Sequence, residues 1–132
     1  MLGREVGNRE AAHAAALDEA FTVARGLHGR VAEALDAFHA ALEAAGARHL
    51  RIHLAAPRLD EKHAHAVQFE VVRGRAVAIV TVKSRGEVTL VGPFAAGKTE
   101  GPCRKISWHD GAAVDEALED FLARFVEEAT QP

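Results

Sequence analysis

The stretch AVQFEVVRGRAVAIVTVKSRGEVTLV, residues 66–91, decides how this chain folds. Val67, Phe69 and Val71 alternate with Gln68 and Glu70. Successive strand side chains point to opposite faces, so this period of two predicts a strand with one buried face. AVAIVTVK (76–83) and EVTLV (87–91) read as further strands from their β-branched content. Between them, RGR (73–75) and SRG (84–86) place glycine where tight hairpins need a positive φ. Upstream, Ile52 and Leu54 alternate with Arg51 and His53 and supply one more strand. The result is a four-stranded antiparallel meander.

Turn lengths set the register. A two-residue turn at Arg73-Gly74 pairs Phe69 with Ala78 and Val67 with Val80. A three-residue turn ending at Gly86 pairs Val82 with Val88 and Val80 with Leu90. A hairpin across 57–62 aligns Leu54 with His65 and Ile52 with Val67. These pairings collect Ile52, Leu54, Val67, Phe69, Val71, Val80, Val82, Val88 and Leu90 on one face, a set that a one-residue slip would scatter. The other face carries Val72, Val77, Ile79 and Val91, a second apolar patch that calls for cover by a helix or another subunit. RKISW (104–108) offers a short fifth strand with Ile106 and Trp108 inward.

Towards the N-terminus the period lengthens. Leu17, Phe21, Ala24, His28, Val31, Leu35, Phe38, Leu42 and Ala45 follow at alternating steps of four and three, an apolar seam along one helix. A heptad-like repeat sustained this far predicts contact with another long helix, with a second subunit as one source. Gly26 and Gly29 leave two readings open, a straight rod and a kinked pair of segments. Gly46 suits the C-cap. At the other end, Val114, Leu118, Phe121, Leu122, Phe125 and Val126 form a helical stripe, with Asp110 as its N-cap. Together these give an α+β fold in one domain over residues 1–132, with residues 1–10 as a candidate disordered lead. A long or kinked N-terminal helix, or helix pair, precedes a four- to five-stranded antiparallel meander, and a C-terminal amphipathic helix packs on the sheet.

Composition narrows the function classes. A net charge of -3 gives no general attraction for nucleic acid or anionic lipid. Cys103 is the one cysteine, so no internal disulfide forms. No apolar run approaches a membrane span, and MLGREVGNRE lacks the core of a secretory signal. The expectation is a cytoplasmic protein without nucleic-acid or membrane partners and without a cofactor.

GPFAAGKT (92–99) matches the phosphate-binding pattern G-x-x-x-x-G-K-S/T at Gly92, Gly97, Lys98 and Thr99. A working loop of this type needs a helix after it, whose first amides face the phosphates. Here Thr99 is followed by Glu100, Gly101 and Pro102, and the preceding sheet is antiparallel, so the stretch reads as a glycine-rich connection. A looser anion site remains a candidate, because Lys98 leaves the sheet at the end that carries Arg73 and Arg75. His63 and His65 share a strand face, but the predicted register turns His53 away from them, so no metal set converges. Cys103 and His109 sit at opposite ends of an extended segment, too far apart for a nucleophilic pair. The leading expectation is a non-catalytic interaction or binding protein that forms a homodimer or higher homo-oligomer. Its candidate interface residues are Leu35, Phe38, Leu42, Val77 and Ile79; an anion- or nucleotide-binding protein using Gly92–Thr99 is the alternative.

Overall fold

Residues 66–91 form the middle of an antiparallel sheet in a computed structural model whose described residues are 2–60, 65–98 and 101–131. The elements run α1 (Leu2–Ala44), β1 (His53–Leu54), β2 (Arg58–Leu59), β3 (Ala66–Arg73), β4 (Ala76–Lys83), β5 (Glu87–Ala95), β6 (Cys103–Ser107) and α2 (Gly111–Ala129). β1 and β2 both pair with one edge of β3, and β4, β5 and β6 follow in chain order. The short β6 is the fifth strand expected at RKISW; Ile106 and Trp108 both pack on the core.

The β4–β5 register is the one the Gly86 turn implies, with Val82 opposite Val88 and Val80 opposite Leu90. The β3–β4 register differs: Phe69 faces Val80 and Arg73 faces Ala76, so the turn is Gly74-Arg75 rather than Arg73-Gly74. Gly74 takes the positive φ of 56° at the first turn position. The displacement is an even number of residues, so every side chain keeps its face. Val67, Phe69, Val71, Val80, Val82, Val88 and Leu90 are accordingly all buried.

The first strand departs further from its reading. Leu54 pairs with Val71, not His65, and Leu59 pairs with Val67, where Ile52 was placed. The chain does not turn at Pro57; it passes the proline with one extra residue between Leu54 and Leu59, a bulge on an edge strand. An edge position tolerates proline because one side of the ladder needs no donor. Ile52 still reaches the core, and Leu54 packs against it.

Both helices lie on the same side of this sheet. α1 is a single helix through Gly26 and Gly29, over β3 and β4, with Ala20, Ala24, Leu27, Val31 and Leu35 buried. The buried line takes in Ala20 and Leu27 and leaves Leu17, Phe21 and Phe38 on its flank. The seam therefore rests on the chain's own sheet rather than on another long helix, and Leu35, a candidate interface residue, lies in the core. At about 1.5 Å per residue, α1 is roughly 65 Å long, so its first turns run past the sheet, and residues 2–15 are exposed. Its C-terminus closes in a Schellman arrangement: the Gly46 N–H donates to Glu43 O and the Ala47 N–H to Leu42 O. α2 covers β4, β5 and β6 with Val114, Ala117, Leu118, Phe121 and Phe125. Asp110 caps it by accepting from the Ala113 N–H. At its other end Arg73 Nε donates to Ala129 O at 3.0 Å, satisfying a terminal carbonyl of α2.

Gly26 and Gly29 sit mid-helix on the exposed side of α1, and an added Cβ at either meets nothing within 4 Å. Replacing each with alanine should raise stability by up to about 1 kcal/mol, the usual helix penalty of glycine. Thermal and urea melts of the single and double variants check this. Phe125→Ala, by contrast, should cost about 3 to 5 kcal/mol, because the ring is fully buried.

Candidate functional site

With both helices on one side, no helix of the described chain lies on the other side of the sheet, where Ala66 and Thr89 are buried and the other side chains are half-buried or exposed. Strand alternation places four cross-strand rows there. Val72, Val77 and Phe94 form one row, and Glu70, Ile79, Val91 and Cys103 the next. Gln68, Thr81, Thr89 and Lys105 follow, and Lys83, Glu87 and Ser107 close the far end. Val72, Val77, Ile79, Val91 and Phe94 are half-buried among their neighbours, and none belongs to the helix-side core. They make an apolar strip centred on β4, the middle strand. The sequence reading named four of them. It missed Phe94, which it placed in the glycine-rich connection.

Phe94 joins the strip because β5 continues to Ala95, through the first half of the GPFAAGKT motif. Gly92 and Pro93 together oppose Ala78, a bulge after which Phe94 faces Val77. Gly92 has φ 110°, and a Cβ there would come within 2.8 Å of Val77 O, so only glycine fits. The first glycine of the motif thus serves a sheet bulge. The connection proper starts at Ala96, and it leads into β6 rather than a helix; Thr99 lies outside the described residues.

The other end of the open face is polar and internally paired. Glu87 Oε1 accepts from Lys83 Nζ at 3.2 Å, Arg85 Nη2 at 3.3 Å and Thr89 Oγ1 at 3.4 Å. The Lys83 ammonium first, then the Arg85 guanidinium, holds the Glu87 carboxyl below its ordinary range against the opposing effect of desolvation. The face therefore runs from apolar to ionic along the strands.

The anion candidates separate. Ala96 N–H donates to Arg75 O at 2.6 Å, which seats the turn carrying Lys98 beside the Gly74-Arg75 tip. Arg73 is on the helix side, engaged with the carbonyls of Ala129 and Arg51. Arg75 and Lys98, both exposed, share this end of the sheet, while Arg73 at the same end is turned to the helix side. Cys103 starts extended β6 and His109 lies in the turn beyond its far end at Ser107. Among the described residues no group of three or more His, Cys, Asp and Glu could hold a metal; His53 and His65 are both exposed, and His63 lies outside those residues. A cleft between β6 and α2, bordered by Arg104, Asp120 and Arg124, is about 140 Å³, below the roughly 300 Å³ where small-molecule sites begin.

No helix among the described residues is long and apolar enough to cross a membrane. No family model, curated protein or solved structure matches the chain.

If GPFAAGKT is structural, Lys98→Ala should leave stability unchanged within about 0.5 kcal/mol, as for most exposed substitutions. ATP or GTP with magnesium should then leave the melting temperature of the wild type where it is. A magnesium-dependent rise lost in both Lys98→Ala and Thr99→Ala would restore the nucleotide site.

Proposed function

We propose that this protein is a non-catalytic interaction module that self-associates through the open face of its sheet. The observation behind the reading is the one-sided placement of both helices, which leaves Val72, Val77, Ile79, Val91 and Phe94 facing solvent across β3, β4 and β5. A contiguous apolar strip with an ionic border is the usual make-up of a surface that binds another protein.

A second copy is the occupant that fits. β3, β4 and β5, of eight, eight and nine residues, together with the five-residue β6 and the short β1 and β2, present a face of roughly 550 Å², from the standard strand spacing and rise. That is most of the ~800 Å² per partner in a typical stable interface. Because the strip is centred on the middle strand, a two-fold axis near Ile79 would set each apolar strip on its twin. Phe38 and Leu42, near the end of α1, remain half-buried and are secondary candidates for such contact.

The test is light scattering after size exclusion, on the wild type and Ile79→Glu. Ile79 lies outside the core, so the variant should fold, while two opposed carboxylates at the centre of the interface should leave it monomeric. The wild-type melting temperature should rise with concentration, and that dependence should vanish in the variant. A wild type that is monomeric at every accessible concentration would overturn the reading. A second reading rests on Arg75 and Lys98 sharing one end of the sheet: phosphate would stabilise the wild type, the increment shrinking in Lys98→Ala and with chloride.

A further inference from the structure

Two histidines of α1 hold the start of the edge strand by its backbone. The Ile52 N–H donates to His39 Nε2 at 3.0 Å. His28 Nε2 lies 3.0 Å from the carbonyl oxygen of Ala55. A carbonyl can only accept, so His28 carries a proton on Nε2; a backbone N–H can only donate, so His39 carries none there. The two rings, about three helical turns apart on α1, therefore take opposite tautomers when neutral. Their response to acid differs as well. Protonated His28 keeps its Nε2–H and its bond to Ala55, whereas protonated His39 has no acceptor left for Ile52.

The surroundings of His39 set the direction. Asp36 and Glu43 lie one turn to either side on α1, Arg48 and Arg51 come from the following segment, and His53 comes from β1. Glu43 is paired with Arg48, and Arg73 of β3 reaches the same corner by donating to the Arg51 carbonyl. Burial first, then the Arg51 guanidinium, disfavours the charged ring; Asp36 opposes them and His53 adds to them, and the result lies below the usual 6.5. A cleft of about 310 Å³, bordered by His39, Leu42, Glu43, Arg48 and Arg51, gives water and protons access to the ring.

We propose that the His39–Ile52 hydrogen bond is a pH-operated catch on the edge of the sheet, closed while His39 is neutral and opened by its protonation. Opening removes the acceptor from the Ile52 N–H and sets a second cation beside Arg51. The strand then loosens from its Ile52 end while His28 keeps hold of Ala55. Because the folded ring is harder to protonate than the unfolded one, the catch contributes its full stability above about pH 6.5 and loses it as pH falls through the lowered value.

The experiment is a titration of the full chain from about pH 8 to about pH 5, the range over which histidines change charge. Imidazole ¹⁵N shifts and amide-exchange protection factors are read together. At the alkaline end His39 should be the Nδ1–H tautomer and His28 the Nε2–H tautomer. Ile52 protection should fall about fivefold, the loss of one ordinary hydrogen bond, in step with His39 protonation. The Ala55 amide, which donates to Glu70 O, should change less. In His39→Ala the Ile52 amide should be weakly protected at both ends, and in His28→Ala the pH-dependent step should persist. Ile52 protection that stays constant while His39 titrates, or His39 found as the Nε2–H tautomer, would overturn the proposal.

Discussion

Side-chain alternation along β3, β4 and β5 is the constraint on which the rest of the structure depends. Val67, Phe69, Val71, Ala78, Val80, Val82, Val88 and Leu90 all emerge on one side and are all buried. That surface is wide enough for two helices side by side, and both take it. α1 lies over β3 and β4, and α2 over β4, β5 and β6. Val31 of α1 and Phe125 of α2 are as fully buried as the strand residues they meet. Burying such a side chain is worth about 1.5 to 3 kcal/mol each, so moving either helix to the opposite face would forfeit several of these at once. The open face is thus a consequence of where the core is.

Other contacts fasten the ends of the helices rather than choose their side. Arg30 and Asp115 pair across the two helices, and both are more than half exposed, so this pair adds little to stability. Arg73 contributes differently: one guanidinium satisfies the Ala129 carbonyl of α2 and the Arg51 carbonyl before β1. It joins the end of the C-terminal helix to the start of the edge strand, near where His39 grips Ile52. The first turns of α1 are exposed, with Leu2 80% exposed and Val6 49% exposed.

The fold was legible because its two periods are strong and its turns carry glycine. The face assignment survived a wrong β3–β4 turn, since Gly74-Arg75 and Arg73-Gly74 differ by an even step in pairing. The edge strand was less legible. Pro57 looks like a terminator, and a bulge past it is invisible to alternation because it changes the phase within two residues. α1 was misjudged in its partner: steps of four and three describe any helix with one apolar stripe, whether it meets a helix or a sheet. Of the candidate site, Val72, Val77, Ile79 and Val91 were readable from β4 and its neighbours. Phe94 was hidden because GPFAAGKT resembles a loop motif, and the bulge shows only in the β4–β5 pairing, where Gly92 and Pro93 together oppose Ala78. The pairing of His28 and His39 with the edge strand depends on how α1 crosses the sheet, and nothing local to either residue encodes it.

One sheet face is core, and the proposed association would cover the other. Methyl relaxation by a soluble paramagnetic agent, read over a dilution series, tests both halves together. Val80, Val82 and Val88 methyls should stay shielded at every concentration. Val77, Ile79 and Val91 methyls should be strongly relaxed in dilute protein and become shielded as concentration rises. If Val77 and Ile79 are shielded in a sample that light scattering shows to be monomeric, a part of this chain covers that face and the one-sided account is wrong. If they remain equally relaxed throughout, the face is open but does not bind its twin.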